Sequence, residues 1–161
     1  TQHPESQFDL LEFRHALEGI SAYYAAMRGT PLDLEQIKES FKAIQQDPGA
    51  EFAAQAQALT EFNLRIAEAS HNVILLHLVR CMQPLLMKNI LQNLQDLAHK
   101  SGVMQQLHEH RQQIVAAIEA GDPDQAREMC HQLLAFIEQA LLTSNREQSR
   151  LQRSLRRTQT G

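Results

Sequence analysis

Eight histidines, at positions 3, 15, 71, 77, 99, 108, 110 and 131, are the residues whose chemistry first invites a metal or a proton-transfer role. Their spacing argues against a metal. No two stand three or four residues apart, so no single helix offers a two-histidine ligand face. His108 and His110 diverge on any regular helix. Glu68 with His71 and Glu128 with His131 have contact spacing, but such pairs are commonplace on solvated helices. Cys81 and Cys130 lie in separate apolar segments with no CxxC, and read as two reduced, buried thiols. There is no GxSxG, no HExxH, no phosphate-cradling glycine loop and no paired-carboxylate constellation. The sequence is therefore read as a non-enzyme.

Three polar residues stand out by position. Asn63 shares a helical face with Leu59 and Ile66, where a carboxamide needs hydrogen-bond partners or a ligand. Arg14 stands four residues before Glu18 and could pair with it. His110 lies at the edge of the apolar face that carries Ile114, where a hydrogen-bonded core-edge histidine is the plain reading. Arg146, Arg150, Arg153 and Arg157 recur at helical spacing beside Arg156. A solvated helix end explains them better than a phosphate contact, because Glu147 dilutes the charge and no aromatic residue is interleaved.

The elements that must position these residues are helices. With 6 glycines, 5 prolines and abundant Ala, Leu, Gln and Glu, the composition favours helix over strand. The spacing predicts a first helix that starts near Pro4 to Gln7 and runs to Met27, with Phe13, Leu17, Ile20 and Tyr23-Tyr24 inward, stopped by Arg28-Gly29-Thr30-Pro31. A second spans Leu32 to Gln46 and ends at Asp47-Pro48-Gly49. A third spans Ala50 to Ser70 and a fourth Asn72 to Ala98; the fourth is apolar almost all round, as befits a central helix or one shared with a partner, and Pro84 should kink it. A fifth runs from Val103 to Ala120. Gly121-Asp122-Pro123 then ends one helix and caps the next, which continues past Leu141 and can extend into the tail. The result is an all-α chain, a single antiparallel bundle of about six to seven helices.

At 161 residues the chain fits one domain with a sizeable core, and 43% hydrophobic against 21% charged residues marks it as globular rather than disordered. Its net charge of -4 gives it no general pull on nucleic acid. The apolar run Val73–Met87 is interrupted by His77, Arg80 and Gln83, which argues against a membrane span, and a cytoplasmic location is expected. The chain opens on Thr-Gln-His-Pro without Met, which suggests a fragment or a processed chain.

The segments HPESQFDLLEFRHALEGISAYYAAMRGT, RIAEASHNVILLHLVRCMQPLL and HRQQIVAAIEAGDPDQAREMCHQLLAFIEQALL, followed by REQSRLQRSLRR, resemble the C-terminal effector-binding domain of FadR-type GntR-family transcription regulators. Within that branch the resemblance is strongest to repressors of pyruvate dehydrogenase complex genes. It implies that residues 1–161 form an effector-binding and dimerisation domain. It also implies a homodimer, and an N-terminal winged helix-turn-helix, outside this sequence, that binds operator DNA until pyruvate releases it. Many members of the branch hold a divalent metal with an Asp-x-x-x-His pair and two later histidines. The corresponding positions here are Leu59, Asn63, His110 and Leu133, of which His110 alone is retained. No metal or other cofactor is expected, because leucine cannot coordinate and one histidine cannot hold zinc against water.

The expected effector-binding residues are Arg14, whose planar fork suits a carboxylate, with Asn63 and His110 as hydrogen-bonding groups and Asn72 and Arg80 behind them. Competing expectations are a lactate or glycolate sensor of the same branch, and a structural dimerisation domain with no effector.

Overall fold

Glycine, proline and short capping side chains divide the chain where the sequence predicts. The computed structural model describes residues 4–46 and 50–160. Within them lie six helices: α1 (Pro4–Arg28), α2 (Pro31–Gln46), α3 (Phe52–Ala69), α4 (Val73–Leu97), α5 (Val103–Glu119) and α6 (Pro123–Thr160). The fold is an all-α bundle. The expected Asp47-Pro48-Gly49 turn and His3 lie outside the described residues.

The junctions are locally determined. Thr30 and Asp33 cap α2 reciprocally, each side-chain oxygen accepting from the other's backbone N–H at 3.1 and 2.9 Å. Asn72 Oδ1 accepts from the Leu75 N–H at 3.0 Å and starts α4. His71, just before it, sits at φ 51°, the left-handed conformation that lets α3 and α4 meet without a linker. Gly121 (φ 68°) closes α5, and Asp122 accepts from the Gln125 N–H to open α6 at Pro123.

α1 is flanked by α6 and α3, α5 packs on α6, and α4 packs on α3. The main core runs through Leu11, Ile37, Phe62, Leu97, Leu134 and Leu141, all nearly inaccessible. α1 and α6 approach closely because α1 carries Gly19 there; a Cβ on it would come within 2.8 Å of His131 Nε2.

Three expectations change. Phe13 is 37% exposed instead of inward, since the face α1 buries is Leu11, Arg14, Leu17, Ser21, Ala22 and Ala25, a register that gives the centre to an arginine. Cys81 is exposed, although Cys130 is buried as expected. α4 is neither central nor buried all round: Val73, Ile74, Leu78 and Leu85 face outward, whereas Leu86, Asn89, Ile90, Asn93, Leu94 and Leu97 face in. By length and composition α4 is long and apolar enough to cross a membrane. It runs through Pro84 as one helix; Pro84 and Arg80 are on the exposed side, where water can satisfy the carbonyl that loses its partner.

Candidate functional site

The most unusual residues of the core are charged. Arg14 is 2% exposed and ranks among the largest fully buried side chains. Its Nε and Nη2 donate to the Glu18 carboxylate one turn along, and its Nη1 donates to Asn89 Oδ1 of α4 at 2.9 Å. Asn93 Nδ2 donates to the same oxygen at 3.4 Å, while Asn93 Oδ1 accepts from Gln7 Nε2 at 2.9 Å. A polar ladder, Gln7–Asn93–Asn89–Arg14–Glu18, thus runs between α1 and α4. Two donors converging on Asn89 Oδ1 fix the orientation of that amide, since a flipped amide would set donor against donor. Its Nδ2 is then buried with no acceptor among the described residues.

A second guanidinium faces the first. Arg111 of α5 is 9% exposed and lines, with Arg14, Leu59, Asn93 and Leu107, a small cavity of about 10 Å³. That is room for roughly one water. Arg111 forms no hydrogen bond or ion pair among the described residues. Burial first, and then the Arg14 charge, push its pKa down to about 10, with Glu18 opposing the shift, so it stays a cation at neutral pH. Two buried arginines therefore share one carboxylate, and the cluster carries excess positive charge.

Arg111 has an outward side as well. It lines the floor of a groove of about 790 Å³ between α2, α3, α5 and the end of α4, walled by Ile44, Phe52, Leu59, Met104 and His108. Leu59 and Arg111 line both spaces, so together they form the partition between groove and inner cavity.

The expected site residues divide. Arg14 is in the cluster. Asn63 lines an adjacent pocket of about 20 Å³ with Glu18, Ser21, Ile66 and Cys130, on the other side of the Arg14–Glu18 pair. Burial pushes the Cys130 thiol far up, so it stays protonated. The other three residues lie elsewhere. His110 packs against Phe136 of α6, ring centroids 5.2 Å apart, half-buried, with its pKa lowered by burial and then by the Arg111 charge. Asn72 uses its side-chain oxygen as the α4 cap. Arg80 is exposed, 4.0 Å from Glu68 on the surface. Arg111, which the sequence reading passed over, is the α5 residue that faces inward. Its signal was present: Arg111 falls i,i+3 and i,i+7 from Ile114 and Ile118, nearer the middle of that apolar face than His110, which stands at its edge.

Residues 9–136 match the FCD domain, the C-terminal domain of GntR/FadR-type regulators. The chain belongs to this family. The FCD domain described here is 38% identical over 148 residues to the L-lactate dehydrogenase operon regulatory protein assigned in Escherichia coli K12, covering 91% of this chain and 56% of that protein. It is 33% identical over 119 residues to the transcriptional regulator LutR of Bacillus subtilis 168 (73% and 53%). It is 28% identical over 119 residues to the Glc operon transcriptional activator of E. coli K12 (71% and 47%). The chain spans about half the length of the curated relatives it matches.

The residues of this FCD domain do not fit the divalent cation held by many members of the branch. Leu59 and Leu133 are buried leucines, Asn63 is a neutral amide, and His110 lies toward Phe136. Among the described residues no three His, Cys, Asp or Glu side chains gather in a metal-binding group. The charge beside Leu59 belongs to Arg111, a cation that would repel a metal.

Proposed function

We propose that this FCD domain is the metal-free sensing and dimerisation half of a transcriptional repressor, responding to a small monocarboxylate. Pyruvate is favoured as the effector and pyruvate dehydrogenase complex genes as the target. The observation that carries the sensing role is the excess positive charge in the bundle interior. Arg111 is largely desolvated, makes no hydrogen bond among the described residues and opens only toward the groove, so an anion that enters can pair with it. A neutral or purely structural bundle has no use for that arrangement. Lactate is the second reading, supported by the lactate operon regulator among the relatives. Lactate and pyruvate share the carboxylate and differ at the α-oxygen, so the same cluster accommodates either chemistry.

The size of the inner cavity supports a route from binding to signal. It holds roughly one water, so a three-carbon acid is admitted only when α1, α4 and α5 separate. A ligand that fits only the expanded arrangement shifts the population toward it. In a dimer whose reading heads precede α1, that shift alters their spacing and releases operator DNA. The outward apolar face of α4, formed by Val73, Ile74, Leu78 and Leu85, is where a second copy would pack. Calorimetry with pyruvate, lactate and glycolate, with and without zinc, tests this reading. Heat is expected with pyruvate in the presence of chelator and is expected to vanish in Arg14→Ala. No heat with any of the three acids would overturn the sensing role.

A further inference from the structure

We infer that Arg111 is the effector's primary anchor, a protein guanidinium doing the work for which related domains use a divalent cation, and that Leu59 is the substitution that leaves it vacant for an external carboxylate. The inference rests on the carboxylate-sensing reading above and goes beyond it, because that reading commits only to an anion near Arg14.

Three observations place the anion on Arg111. The two arginines are not equivalent: Arg14 spends its Nε, Nη1 and Nη2 on Glu18 and Asn89, whereas Arg111 has no partner among the described residues. Arg111 is also the arginine reached from solvent, as it lines the groove whereas Arg14 does not. Leu59 lines both spaces with Arg111. An aspartate there, the family's metal ligand, would pair with a neighbouring guanidinium; a leucine cannot, and so Arg111 shares the Glu18 charge with Arg14 and has no carboxylate of its own.

The ligand class follows from the donors. Arg111 offers a planar fork that takes a carboxylate in bidentate fashion. Asn89 Nδ2, buried and unpaired beside Arg14, is a further vacant donor in the same cluster, and one that an oxygen on the neighbouring carbon would reach only in the expanded arrangement. A short 2-oxo or 2-hydroxy acid has both features; acetate and a simple fatty acid have only the first. No metal takes part in this scheme.

The test is calorimetry in chelator with pyruvate, lactate and acetate, on the chain and on Arg111→Gln, Arg111→Lys and Leu59→Asp, with thermal unfolding of each in the absence of acid. Arg111→Gln is expected to lower affinity by roughly tenfold or more, the loss typical of a charge-assisted bidentate pair, and Arg111→Lys by less. Leu59→Asp is expected to abolish binding and to raise the melting temperature, because it supplies the missing carboxylate from within. Arg111→Gln is expected to melt no lower than the parent, as a residue with a purely structural role would not. Retained affinity in Arg111→Gln, or undiminished binding in Leu59→Asp, overturns the inference while leaving the sensing role intact. Absence of heat with every acid on the unaltered chain overturns both.

Discussion

Glu18 is the residue on which the interior balances. It is the carboxylate that faces Arg14 and Arg111 among the described residues, and it is 12% exposed at the side chain. Breaking a buried pair by removing one partner costs about 3 to 5 kcal/mol, since the remaining charge is stranded. Glu18→Gln should therefore destabilise by about that amount in denaturant unfolding, more than any neutral substitution of Arg111. The histidines act more weakly and in a defined direction. His15, His108 and His110 all have lowered pKa values; burial is the first cause, followed by the charge of His131 for His15 and of Arg111 for the other two. Below about pH 6.5 the unfolded chain then binds more protons than the folded one, so stability rises with pH across this window and falls on acidification. Melting temperatures measured from about pH 7.5 down to about pH 5.5 should decline, and a variant with all three changed to glutamine should show a flatter profile.

Among the elements, α4 combines two roles in its two halves. The C-terminal half supplies Asn89 and Asn93 to the ladder, and the N-terminal half presents apolar side chains outward. Its start depends on Asn72. Asn72→Ala should cost about 1 kcal/mol through loss of the cap, read as a lower melting temperature, with carboxylate affinity unchanged. A large loss of affinity would return Asn72 to the effector site. α5 shows how one helical step decides a role. His110 and Arg111 are adjacent, about 100° apart around the axis, and so one packs on α6 while the other enters the interior. The resemblance carries the ligand role to His110; the helix turns Arg111 toward the site instead. α6 continues to Thr160, well past the bundle, and residues 145–159 are exposed along it. Its arginines form a solvated, basic helix end, with Lys100 of the α4–α5 turn 3.6 Å from Glu147 near its root.

At the scale of the molecule, the proposed homodimer and the proposed sensing role would be linked through α4, which carries the outward apolar face on its N-terminal half and Asn89 and Asn93 on its C-terminal half. Ile74→Glu with Leu78→Glu should convert a dimer to a monomer in sedimentation, by placing charge in an apolar contact, and should leave helical content unchanged. A sedimentation coefficient unaffected by the pair of charges would move the dimer contact elsewhere. Because the inner cavity is too small for a three-carbon acid in the arrangement described, effector binding should also raise hydrogen exchange at the α1–α4 contact, or shift it measurably, and not simply protect it.

The sequence by itself determined the helices, the Asp122 cap and the family, because these depend on short-range periodicity, on Gly, Pro and Asp at the boundaries, and on segments long enough to be specific. It also placed Arg14 and Glu18 on one helix face, since i,i+4 spacing is a local fact. Only the tertiary structure decided that this pair is buried, that Asn89, 75 residues from Arg14, meets it with Asn93 behind, and that Arg111 lies beside Leu59 with no hydrogen-bonded carboxylate of its own. Burial and partnership of a charge depend on which faces pack together. A guanidinium whose four-residue neighbours are apolar reads the same from sequence whether it ends in solvent or at the centre of a bundle.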